Sequence, residues 1–256
     1  MNLEKRKNQR LFGFSFSKAA SLQQVVDAIL ELAADEVRQL ITPNASTSLY
    51  YNENENKELL DFYRNAAFIL PDGMPIVWLG NLKGLGLHRL PGSDLFPLLW
   101  TEIKGRKKAS VFVLARQELA EKLAVENGNC TFIVPPMFEA ADREYIRSLA
   151  NEVVSQVRER QASFVFLGLN FPKQELLGLE ITNALNESAH AKPLILLLGA
   201  SFEFYLKLKT RAPQWMQRTG LEWLYRFMKE PRRLWKRYTV DNFRFLLLAA
   251  KEYFRS

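Results

Sequence analysis

The chain has 256 residues, of which 48% are hydrophobic and 25% charged, with a formal net charge of +7. That length suits one large α/β domain with or without an appendage, and the composition excludes a disordered polypeptide. One cysteine, Cys130, excludes an internal disulfide framework and a cysteine-based structural zinc site.

The N-terminal MNLEKRKNQR is charged, but the LFGFSFSKAA that follows is too short and polar for a signal-peptide core. Residues 19–40 place Leu22, Val25, Val26, Ile29, Leu32 and Ala33 on one stripe, which predicts an amphipathic helix. QLITPNASTSLYY reads as a short strand ending in a polar turn. Residues 53–65 read as a second helix, with Leu59, Leu60 and Tyr63 apolar. AAFILPDG is a buried strand stopped at Pro71-Asp72-Gly73.

Strand, turn and helix then repeat. KKASVFVLA precedes RQELAEKLAVENG, NCTFIVPP precedes a periodic run over 140–160, and ASFVFLGLN precedes PKQELLGLEITNALN. KPLILLLGA is an apolar run of the parallel-sheet kind. The pattern predicts an α/β fold, a mostly parallel Rossmann-like sheet with flanking helices over residues 1–200. Ligands of such sheets gather beyond the carboxyl ends of the strands. The loops expected there are 42–46, 71–75, 168–175 and 199–203.

Residues 201–256 differ. They hold 13 basic and 5 acidic side chains, net +8, whereas residues 1–200 hold 22 basic and 23 acidic, net −1. Three of the five tryptophans, Trp215, Trp223 and Trp235, lie here. Breaks at Pro213, Gly220 and Pro231 divide a basic C-terminal helical appendage. Leu221, Leu224, Tyr225 and Met228 form an apolar face amid Arg226, Lys229, Arg232, Arg233, Lys236 and Arg237. No apolar run reaches the ~18 residues of a spanning helix.

Several residues at the loops could carry chemistry. Asp72 follows an apolar strand, where partial desolvation suits a general base; the alternative is a turn or helix cap. Thr42 and Asn44 suit hydrogen bonding to a sugar or phosphate, or capping. In Gly168–Glu175 the helix start, Lys173 and Gln174 could receive a phosphate, or simply connect strand to helix. Arg89 could meet a phosphate, with Asp94 orienting it. The two histidines, His88 and His190, have no ligand-spaced partner. No Asp-x-Asp pair, Walker motif or G-x-G-x-x-G is present.

In order along the chain, ITPNA, ILPDGMPIVW, RLPGSDL, FLGLNFPKQE, GASFEF, RAPQWMQRTGLEWLYRF and EPRRLWKRY resemble the WecG/TagA/CpsF family of bacterial glycosyltransferases. The resemblance spans roughly residues 40–238. It implies an inverting, metal-independent glycosyltransferase needing no cofactor. Such an enzyme moves a sugar from a UDP-sugar to a polyprenyl-diphosphate-linked sugar in cell-envelope or exopolysaccharide synthesis. By the same resemblance Asp72 is the general base, with Thr42 and Asn44 lining its pocket. Gln174 and Lys173 of the PKQE segment and Arg89 hold substrate. Arg211, Arg226 and Arg233 come from the appendage, the first two to meet diphosphate.

The chain departs from the family where it has Ala115-Arg116-Gln117, Pro135-Pro136-Met137-Phe138, Asn170 and Tyr205-Leu206-Lys207 in place of glycine-containing loops. The departures imply a reshaped donor site. The appendage is expected to close that site and to rest on an anionic membrane surface, which makes the protein cytoplasmic and peripheral to the inner face of the cell membrane. Two alternatives are an inactive nucleotide-sugar-binding homologue and a basic nucleic-acid-binding protein. Confinement of the charge to an aromatic-rich tail argues against a nucleic-acid partner. Assembly into a homo-oligomer is left open.

Overall fold

A computed structural model describes residues 10–32, 36–53, 56–186, 192–236 and 240–254, without the side chains of Arg218, Arg226, Arg233, Leu234 and Lys236. Ala33, His190 and Arg237 lie outside the described residues. Six strands, β1 (Arg38–Ile41), β2 (Phe68–Ile69), β3 (Ser110–Leu114), β4 (Cys130–Ile133), β5 (Phe164–Gly168) and β6 (Leu194–Leu197), form one sheet. Its order is β2-β1-β6-β5-β3-β4, and every pairing is parallel.

The strands are apolar on both faces because helices cover both. One face presents Ile41, Val111, Val113, Val165, Leu167 and Ile195. It is packed by α2 (Ala45–Glu53), α3 (Lys57–Asn65), α4 (Met74–Leu82), α7 (Arg143–Arg160) and α8 (Lys173–Asn186). The other presents Leu40, Phe112, Phe166 and Leu196 to α1 (Leu22–Leu30), α5 (Gly92–Gly105), α6 (Gln117–Ala124) and α9 (Ser201–Tyr205). Phe112 and Phe166 stack at 4.5 Å beneath Phe202 of α9. The short edge strand β2 is covered by the N-terminal segment: Ser17 N–H donates to the Ile69 carbonyl and Ile69 N–H to Ser17 Oγ, each at 3.0 Å.

The expected α/β architecture is present, with three corrections near the start. The first helix ends at Leu30, capped at Glu31. Arg38–Leu40, read as its last turn, are strand β1, pulled into the sheet by β6 and β2. Residues 45–53 are helix α2, not strand and turn. Asn44 Oδ1 accepts from Ser46 and Thr47 N–H at 3.0 and 3.2 Å, which starts a helix whose own sequence has no apolar stripe. Helix α5 had no counterpart in the sequence reading.

After β6 the chain adds α10 (Gln214–Arg218), α11 (Glu222–Lys229), α12 (Pro231–Lys236) and α13 (Asn242–Tyr253). The breaks at Pro213, Gly220 and Pro231 fall between helices as expected. Gly220 has φ +74° and lies flat against Trp78, where a Cβ would come within 2.6 Å of the indole. That contact seats the α10–α11 turn on α4. Helix α13 returns to the core: Phe245 packs on Phe12 at 5.2 Å, Glu252 Oε1 accepts from Phe12 N–H at 3.0 Å, and Lys83 Nζ donates to the Glu252 carbonyl at 2.7 Å. Among the described residues no helix is long and apolar enough to cross a membrane.

Candidate active site at the carboxyl edge of the sheet

Strands β1 and β6 are neighbours whose chains leave on opposite faces, β1 into α2 and β6 into α9. In α/β sheets the ligand crevice lies beyond the carboxyl ends of two such strands. Four expected site residues meet around it. Thr42 leaves β1 at the crevice mouth, and Gly92 at the start of α5 approaches so closely that a Cβ there would stand 3.4 Å from Thr42 Cγ2 and 3.1 Å from Leu198. A Cβ there would push these side chains aside by a few tenths of an ångström, so glycine eases the approach of the α5 N-terminus, with its outward amides, to the two strand ends.

Asp72 is next. Its N–H donates to the Pro43 carbonyl at 3.2 Å, tying the loop after β2 to the loop after β1. Asn44 lies against Gly73, the N-cap of α4. The Asp72 side chain is one-third exposed, wet enough to exchange protons and dry enough to feel its neighbours. Arg89 approaches it: Nε donates to the Asp72 carbonyl at 2.8 Å, and Nη2 is 4.0 Å from Asp72 Oδ1. The same Nη2 bonds Glu222 of α11 at 2.8 Å.

Gln174 lies one strand further along and faces inward. Its Oε1 accepts from Gly199 N–H at 3.0 Å and its Nε2 donates to Glu175 Oε1 at 2.9 Å. It therefore shapes the β6–α9 loop rather than reaching across the crevice. Glu175 is buried, and burial pushes its carboxyl up to about 7 against the smaller opposing effect of the Gln174 bond. Its Oε2 and the hydroxyl of buried Tyr63 have no hydrogen-bond partner among the described residues.

The remaining expected residues are placed elsewhere. Lys173 donates from Nζ to the Phe138 carbonyl and sits 4.8 Å over the Phe138 ring, on the β4 side of the sheet. Arg211 forms a bidentate pair with Asp94 in the first turn of α5, with Nη2–Oδ2 at 3.2 Å, while its buried Nε has no hydrogen-bond partner among the described residues. Arg226 lies on α11 and Arg233 on α12, with side chains outside the described set.

The loops that lack family glycines have their own fastenings. Arg116 pairs with Glu203 at 3.2 Å, Phe138 receives Lys173, and Lys207 holds a left-handed φ of 56° where glycine was expected nearby.

Two participants escaped the sequence reading. Glu222 is the only acidic residue between Glu203 and Glu230, a signal that was there to be seen. Gly92 left a weaker one, a glycine just after a proline at a helix start. No group of three or more His, Cys, Asp or Glu among the described residues could hold a metal ion.

Comparison with known proteins gives a consistent result. The model of the "Glycosyl transferase WecG/TagA/CpsF family" matches residues 9–256. Two similar proteins are the "N-acetylglucosaminyldiphosphoundecaprenol N-acetyl-beta-D-mannosaminyltransferase" of Staphylococcus aureus strain MW2 and that of strain NCTC 8325. Each is 24% identical to this chain over 98% of its length and 97% of the relative's.

Proposed function

Because the chain belongs to the WecG/TagA/CpsF glycosyltransferase family, we propose that the β1/β6 crevice is the site of an inverting sugar transfer with Asp72 as general base. The donor is a UDP-sugar and the acceptor a polyprenyl-diphosphate-linked sugar, a class carried over from the names of the Staphylococcus aureus relatives. The observation that carries this reading is the position of Asp72. Its backbone is tied to the loop that carries Thr42 and Asn44, and its carboxylate is partly exposed, 4.0 Å from an arginine.

Asp72 takes the proton of the acceptor hydroxyl as that oxygen attacks the anomeric carbon. The bond from that carbon to the diphosphate oxygen breaks, and its electron pair leaves with UDP. Attack from the face opposite UDP inverts the anomeric centre. The Thr42 hydroxyl, the Asn44 amide and the α5 amides hold the sugar and phosphate oxygens. Gln174 keeps the Gly199 loop in shape beneath them. Arg211, with Arg226 and Arg233 of the appendage, balances charge on the leaving diphosphate. The Nε of Arg211, without a hydrogen-bond partner among the described residues, supports that role, and exchange of Asp94 for diphosphate would bring the cation to the donor.

The same appendage faces a membrane in this reading. Trp215, Trp235 and Met228 of α10–α12 and Phe243, Leu246 and Leu247 of α13 are exposed, beside Lys229, Arg232 and Arg244. Aromatic and basic residues together suit an anionic bilayer surface, where the acceptor resides. This favours a protein peripheral to the cytoplasmic face of the membrane.

The test is a panel of UDP-sugars offered with a short-chain lipid-diphosphate sugar to the purified protein and to Asp72→Asn. One donor should yield an inverted glycoside with the wild type. The variant should lose at least about a hundredfold in turnover while still binding UDP. Turnover of the variant at the wild-type rate would remove Asp72 from the chemistry, and UDP binding without any product would favour a binding protein.

A further inference from the structure

A glutamate in the first turn of a helix ordinarily stays in water, or reaches back to the N–H that precedes the helix. Helix α8 begins at Lys173, and the residue before it is Pro172, which has no N–H. Glu175 is instead only 4% exposed. Its Oε1 accepts from Gln174 Nε2 at 2.9 Å, and its Oε2 has no hydrogen-bond partner among the described residues. The bonding of this buried carboxyl to other side chains is thus directed at its neighbour.

That bond sets an amide. With Nε2 held by Glu175, Gln174 presents Oε1 to the Gly199 N–H at 3.0 Å. Gly199 has φ +52°, a conformation that suits glycine. It belongs to the turn that carries Leu198 and Ser201. The α5 N-terminus packs on that turn: a Cβ on Gly92 would stand 3.1 Å from Leu198, 3.4 Å from Ser201 Oγ and 3.4 Å from Thr42. A continuous path therefore runs from the buried carboxyl through Gln174 and the Gly199 turn to the start of α5 and Thr42.

We propose that Glu175 is a positioning residue, which orients the Gln174 amide and through it holds the Gly199 turn at the edge of the transfer site. The inference rests on the reading of that edge as the place of sugar transfer. Removing the acceptor would leave a buried N–H donor of Gln174 unpaired, and the amide would turn to find another partner and release Gly199. A displacement of about 1 Å among groups that hold a reacting sugar costs one to two orders of magnitude in rate.

Substitutions separate the bond from the charge. Glu175→Gln keeps an oxygen opposite Gln174 Nε2, whereas Glu175→Met has nearly the same length and no such acceptor. The Gly199 amide is followed by ¹H–¹⁵N NMR of glycine-labelled protein without substrate. On the same samples kcat/KM is measured with UDP-sugar and a short-chain lipid-diphosphate sugar, under conditions where urea unfolding shows each protein folded. E175Q should keep the Gly199 resonance and a kcat/KM within about twofold of wild type. E175M should shift the resonance and lower kcat/KM at least about tenfold. E175L repeats the test should E175M not fold.

A Gly199 resonance unmoved in E175M, or a full kcat/KM, overturns the role of Glu175. So does a loss in E175Q as large as in E175M, because it would assign the effect to the charge. Failure of both E175M and E175L to fold would make the residue a requirement of folding and overturn positioning as well. Absence of transfer by the wild type, or full activity of D72N, would instead fail the transfer reading, and the Gly199 resonance is read independently of both.

Discussion

Glu175 offers a sharp test of how the edge of the sheet is built, because its environment gives a quantitative and signed consequence. The carboxyl is buried between α3 and α8, accepts one bond from Gln174, and has no partner for Oε2 among the described residues. Burial lifts its pKa from 4.5 to about 7. A rise of that size corresponds to about 3 kcal/mol at ~1.4 kcal/mol per pH unit. The sign follows from where the proton is held. Below pH 4.5 the group is protonated folded and unfolded, and no penalty arises. Between 4.5 and 7 the unfolded chain ionises while the folded protein keeps its proton, so stability falls as pH rises. Above 7 both forms are ionised, and the full penalty of about 3 kcal/mol remains.

Glu175→Gln keeps the shape and the acceptor for Gln174 but cannot ionise. Urea unfolding of both proteins at pH 5, 6, 7 and 8 isolates the effect. The stability of the variant relative to wild type should increase by roughly 2.5 kcal/mol from pH 5 to pH 8. Parallel stability curves would refute the argument, since they would mean that Glu175 ionises in the folded protein as it does in water. A relative stability that fell with pH would refute it more strongly.

Other expectations come from single positions. Lys207 at φ 56° bears the left-handed strain that glycine avoids, so Lys207→Gly should raise stability by about 0.5 kcal/mol, read as a higher urea midpoint; a lower midpoint would show that the lysine stem contributes more than the strain costs. Cys130, half-buried in β4 with its thiol pushed up to about 12 by burial, should react with a disulfide reagent at pH 8 far more slowly in the native protein than in urea. Equal rates would place the thiol in an aqueous environment.

The legible part of the fold was the part with a strong local period. Strands β3, β5 and β6 are apolar runs bounded by turn residues, and α7 and α8 begin within a few residues of where their patterns do. Arg38–Leu40 continued a helical stripe on paper, but the pull of β6 and β2 on both sides outweighed the local period. Helix α2 has buried Thr47, Ser48, Leu49 and Tyr51, so no stripe could mark it. It exists because Asn44 caps it and because α3 and α13 pack around it. Asn44, Thr42 and Asp72 were legible as a group, since parallel strands bring their carboxyl-end loops together whatever the register; Arg89 lies outside those loops and was tied to them only by the family resemblance.

What sequence could not supply was the direction in which each side chain points. Gln174 and Lys173 are adjacent, yet one turns under the β6 loop and the other toward Phe138. The net charge of the tail was equally uninformative about its docking. A segment of +8 would be expected to approach the site with its cations, and Arg211 does arrive there, held by Asp94. The segment's rare carboxylate, Glu222, also reaches the site, bonding Arg89 from 133 residues away in sequence.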